Sequence, residues 1–217
     1  MINYKKIFYL MSCILMLSLV IASCDSEETE TTSIEAQIEI DDKAIESDPD
    51  YIALEKLLIN NISLVQSSLK NNNVSLTEYK KIVIDKNEEQ MQEIFDNNQM
   101  KISENFILAK MHYESLISKY PQIEEEVGSG IDYNNLSKSE AESIFQNLDK
   151  SDFLDVNFIG KNNRRCGWRY ITCLLAVGLP AWACVIGGSP TIVVSAACIA
   201  GYGAGAILCM DSYCWVF

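Results

Sequence analysis

The chain holds a single histidine, His112, and has no arginine between residues 25 and 160. It contains no Cys-x-x-Cys, so the usual redox pair of a thiol oxidoreductase is missing. No Gly-rich phosphate loop, Ser-His-Asp arrangement or catalytic carboxylate pair stands out. His112 lies between Met111 and Tyr113 in a helical pattern. It reads as a surface or partly buried imidazole rather than a base or a ligand. Glu124-Glu125-Glu126 has no cysteine or histidine at metal spacing and reads as a solvated charge run. These residues predict no enzyme, no cofactor and no metal.

What is present divides the chain in two. Residues 25–160 hold eleven lysines against twenty-nine acidic residues, a net of −18. Residues 161–217 hold Lys161, Arg164, Arg165 and Arg169 against Asp211, a net of +3. All three tryptophans and six of the eight cysteines also fall in that last segment. A net of −18 repels nucleic acid, so no nucleic-acid partner is expected.

The first residues specify an address. Lys5 and Lys6 precede an uncharged run from Ile7 to Ser23, short for a spanning helix and suited to the apolar region of a secretory signal. Ile21-Ala22-Ser23-Cys24 resembles the lipobox of bacterial lipoproteins. That resemblance implies a signal peptide over 1–23, cut before Cys24, with acyl chains on Cys24 anchoring the protein to the cell envelope. The acidic stretch after it reads as a tether over 24–48. It is also similar to signals that send lipoproteins to the outer membrane or cell surface.

Residues 49–160 read as an acidic helical region forming a small bundle, within an all-α fold. A first helix follows Asp48-Pro49, with Ile52, Leu54, Leu57, Leu58, Ile62, Val65 and Leu69 at helical spacing, and ends at Asn71-Asn72-Asn73. Ser75-Leu76-Thr77-Glu78 has capping-box spacing and opens a second, with Tyr79, Ile82, Val83, Met91, Ile94 and Phe95 inward. A third runs from about Ile102 to Lys119, before Pro121. Gly128-Ser129-Gly130 is a loop, and Ser137 to Glu140 repeats the capping spacing before a short fourth helix.

From Tyr170 to Met210 there is no formal charge, and Gly187-Gly188-Ser189-Pro190 marks a turn between two apolar arms. At ~1.5 Å per residue each arm approaches the thickness of a bilayer core. Residues 161–217 therefore read as an apolar helical hairpin. Cys166, Cys173 and Cys184 would share one stripe, and Cys198 and Cys209 another. Folding at Pro190 opposes Cys184 with Cys198, Cys173 with Cys209 and Cys166 with Cys214. Six cysteines allow fifteen connectivities, and this nested ladder is the expected one. Gly201 and Gly205 form a GxxxG on the cysteine face, suited to close helix approach or self-association. Pro180 is expected to kink the first arm. At the open end Arg164, Arg165, Arg169, Trp168 and Tyr170 would gather with Tyr213, Trp215 and Phe217 as a membrane-interface belt.

A signal sequence, an acidic helical pro-region and an apolar tail opening Cys166-Gly167-Trp168 to Cys173 resemble the precursors of sporulation-delaying-type peptide toxins. The density of cysteines also resembles the cysteine-rich halocin class of bacteriocins. This chain departs from the former in its lipobox and in having six tail cysteines rather than two. The resemblance implies a membrane-active, disulfide-bonded peptide whose partners are a lipid bilayer, a processing protease and an immunity protein. Arg164-Arg165 would then be a processing site, and the acidic region would hold the tail inactive. The alternative expectation is a non-catalytic surface lipoprotein whose tail is a binding module or a second membrane anchor.

Overall fold

In the computed structural model, residues 42–128, 130–131, 135–156, 167–186 and 195–213 are described, with 183–186 described through their backbone. Within residues 42–213 the described residues form helices and turns with no strand, as the apolar periodicity predicts. Helix α1 spans Asp42–Glu46, α2 Pro49–Asn71, α3 Leu76–Ile84, α4 Glu88–Lys119, α5 Gln122–Val127 and α6 Lys138–Ile144. Two 3₁₀ turns, Leu148–Lys150 and Phe153–Asp155, precede the tail helices α7, Gly167–Ile186, and α8, Ala196–Tyr213.

Local chemistry sets the helix starts. The Asp48 carboxylate accepts the Asp50 N–H, and Pro49 at the first position has no N–H to leave unsatisfied. Ser75 caps α3 by accepting the Glu78 N–H. Ser137 and Glu140 make a complete capping box at α6.

Three boundaries differ from the sequence expectation. The second helix stops at Ile84, because Lys86 adopts φ 49° and Asn87 recaps the chain by accepting the Gln90 N–H. The polar stretch 97–101 is helical, so α4 runs unbroken for 32 residues. Asn98 explains this. On the α2-facing side it donates to Ser68 Oγ at 2.8 Å instead of ending the helix. Part of the expected tether and of the expected charge run is also helical, as α1 and α5.

Helices α2 and α4 pack antiparallel, and polar side chains fix their register. The Asn61 amide donates to Ile102 O at 3.4 Å and accepts from Asn105 at 2.7 Å, all buried. At one end Asp50 accepts from Ser115 Oγ (2.7 Å) and Lys119 Nζ (2.7 Å) and bonds His112 Nδ1 (2.8 Å). At the other, Asn72 donates to Ile94 O.

The tail helices complete the interior. Helix α8 packs against α7, α4, α2 and α3. Its buried residues include Cys198, Ile199, Tyr202, Ala204, Ala206, Ile207 and Cys209, which point in all directions around the axis. A helix that is apolar all round needs cover on every side. The described residues between Asp42 and Tyr213 accordingly form one compact unit.

Candidate functional site

The candidate site is the apolar hairpin and the surface that encloses it. Cys173 of α7 and Cys209 of α8 are joined by a disulfide with Cα atoms 5.7 Å apart, one rung of the expected ladder. That is the usual separation across a disulfide, and Gly205 lets α7 pack closely beside it. A Cβ on Gly205 would lie 2.6 Å from Val177 Cγ1. Cys198 is also disulfide-bonded. Cys166 and Cys214, and the side chain of Cys184, lie outside the described residues, as do Cys24, Arg164, Arg165, Trp215 and Phe217.

Small residues of α8 serve contacts within this chain. Gly205 meets α7, whereas a Cβ on Gly203 would lie 2.5 Å from Tyr79 Oη and 2.8 Å from Val65 Cγ1. Gly201 is buried as well.

Tyrosines bolt α8 to its surround. The Tyr79 hydroxyl donates to Ala200 O at 2.7 Å, and the Tyr202 hydroxyl donates to Leu58 O at 3.1 Å. Phe106 meets Tyr202 edge-on, with ring centroids 4.8 Å apart. Burial raises the Tyr202 hydroxyl well above its usual pKa, so it stays a donor.

At the start of α7, Trp168 is held by the acidic half. Its indole Nε1 donates to Glu126 at 2.7 Å, its backbone N–H donates to Glu46 at 3.2 Å, and its ring lies 5.6 Å from that of Tyr51. A carboxylate at a helix N-terminus is favoured by the helix dipole. Glu126 is therefore more than the solvated charge the sequence suggests.

The structure describes four members of the expected interface belt. Trp168 and Tyr170 are buried at 4% and 1% exposure, while Arg169 and Tyr213 are exposed. An amphipathic ring suits a protein core with one polar partner as well as it suits a headgroup layer, and here the core takes both rings. Among the described residues no helix is long and apolar enough to cross a membrane. Arg169 near the start of α7 and Asp211-Ser212-Tyr213 at the end of α8 shorten their apolar stretches.

Two donors lack partners among the described residues: Tyr170 Oη and Trp182 Nε1, both buried. Burial raises the Tyr170 pKa further, with Glu55 adding to the effect. Tyr113 lies 5.4 Å from the Trp182 ring without bonding its N–H.

His112, read from the sequence as a surface or partly buried imidazole, is part-buried against Asp50. No group of three or more His, Cys, Asp or Glu side chains suited to a metal ion occurs among the described residues. The residues that sequence reasoning missed are Glu46, Glu126, Tyr51 and Gly130. Each acts through a partner far away in the chain, and nothing in its own neighbourhood signals that partner.

No protein-family profile matches this chain, and no curated protein or solved structure is similar to it.

Proposed function

We propose that the chain is the precursor of a membrane-active, disulfide-bonded peptide. In this reading residues 42–156 form an acidic jacket around the apolar hairpin of α7 and α8. The observation that supports it is topological. Helix α8 is buried on every side, yet residues 25–160 contain no cysteine. No disulfide can therefore join the hairpin to residues 25–160, and with the signal segment removed and Cys24 acylated, as in this reading, only the main chain ties the two parts together covalently. One cut between 157 and 166 separates them and leaves the Cys173–Cys209 staple intact.

Energetics support the same reading. Two buried donors without partners each cost roughly 1–3 kcal/mol relative to a site that satisfies them. The headgroup region of a bilayer offers such partners to Tyr170 and Trp182. The +3 charge of the tail favours anionic lipid once the −18 segment is removed. The two helices, 20 and 18 residues long, would seat their joint apolar body in lipid. Cys24 would anchor the precursor to the envelope, and Arg164-Arg165 would be cut by a partner protease.

The test is dye release from vesicles of anionic lipid, before and after cleavage of the oxidised full chain at Arg164-Arg165. The intact chain should be silent and the cut chain active. Equal leakage from both, or an inert isolated hairpin, overturns the proposal. A second reading is favoured by the Tyr79 and Tyr202 hydrogen bonds, which treat the hairpin as a permanent core. It makes the chain a non-catalytic surface lipoprotein. It requires that the cut chain keep its hairpin in the presence of lipid.

A further inference from the structure

A cleft of about 180 Å³ opens at the surface above the seam of the hairpin, and the Cys173–Cys209 disulfide lies in its wall. Ile131, Ile144, Phe145, Val177 and Leu208 line it together with two polar residues, Ser212 and Tyr213. Gly201 and Gly205 also lie in its wall. Cys173 is only partly buried, whereas Cys209 is 1% exposed. Cys198, at 5% exposure, does not border the cleft and accepts a hydrogen bond from Ser195 Oγ.

We propose that this cleft is a site of covalent modification at Cys173 by small, uncharged thiols. A thiolate entering it attacks Cys173 Sγ. The bond to Cys209 breaks, and Cys209 Sγ leaves with the electron pair and takes a proton from water. The product is a mixed disulfide on Cys173 and a free thiol on Cys209. A second equivalent of thiol releases the adduct as a symmetrical disulfide and leaves both protein cysteines reduced.

Two features select the ligand. The volume is that of a small apolar molecule, comparable to engineered cavities of ~150 Å³ that bind benzene. None of the side chains lining the cleft is charged, so an anionic thiol would shed water without a cation to compensate. The acidic chain around the site also repels anionic thiols such as glutathione. The inference does not depend on the hairpin being a toxin, since it concerns the folded chain alone.

The experiment uses the oxidised full chain under native conditions with 2-mercaptoethanol or its anionic analogue 2-mercaptoethanesulfonate. After quenching with N-ethylmaleimide, adducts are mapped by peptide mass. Rates are normalised to those of the denatured chain, which removes intrinsic reactivity. The first adduct should be on Cys173, and mercaptoethanol should be favoured by about tenfold or more, the sulfonate having to be desolvated. Ile144→Trp or Ile131→Trp, each narrowing the cleft and checked for unchanged helicity, should slow the neutral thiol. A first adduct on another cysteine, or equal normalised rates for the two thiols, overturns the proposal.

Discussion

The backbone N–H of Ile131 donates to the carbonyl of Ala176 at 3.2 Å, and Ala176 lies four residues before Pro180. A helical carbonyl normally receives the N–H four residues on, which proline lacks. The loop after α5 thus supplies the donor that Pro180 withholds, and α7 continues through its proline to Ile186.

Gly130 makes that approach possible. Its φ is +73°, and a Cβ there would fall 2.2 Å from Ala176 O. Gly130→Ala should therefore destabilise the chain by about 2–4 kcal/mol in urea unfolding, from left-handed backbone strain together with loss of the bond. Gly128, with φ +64° and open space around it, should cost less when changed to Ala.

The hairpin seam gives a second expectation. Gly205→Ala drives a methyl against Val177 and should cost about 1–3 kcal/mol. Val177→Ala opens the space the methyl needs. The double variant should recover part of the loss, so a thermodynamic cycle should show favourable coupling.

The Cys173–Cys209 bond closes a long loop, with a sequence separation of 36. Replacing both cysteines with Ala should lower stability by roughly 3–4 kcal/mol on the loop-entropy account. Guanidinium unfolding of the two forms checks this.

Acid should weaken the α2–α4 pairing at one end. Hydrogen bonds from Lys119, then Ser115 and His112, hold the Asp50 carboxyl well below its usual pKa. Its contribution is complete above the unfolded value of ~3.9 and is lost as pH falls from there toward the lower native value. Asp50→Asn should reduce the melting temperature at pH 7 and flatten its decline below about pH 4.

The caps at Asp48, Ser75 and Ser137 were legible in the sequence because a cap is a local bargain between neighbours. The Cys173–Cys209 rung was legible because helix pitch and one turn fix which positions oppose. The destination of Trp168 and Tyr170 was not. Their chemistry fits lipid and protein alike, and the choice rests on Tyr51 and Glu126, distant in the chain. The break at residues 85–87 was missed for a different reason. Apolar spacing runs through it from Val83 to Met91, and the left-handed Lys86 leaves no mark in the pattern. Asn97 to Lys101 read as a gap because polarity alone does not reveal that Asn98 is turned toward Ser68.

Because Tyr202 reaches both Leu58 and Phe106, the element being enclosed is also the central pillar of its enclosure. Remove it and Leu58, Val65, Tyr79 and Phe106 face a void that close-packed matter does not tolerate. No hollow shell can persist. Under the proposed function, departure of the hairpin and collapse of what remains would be a single event.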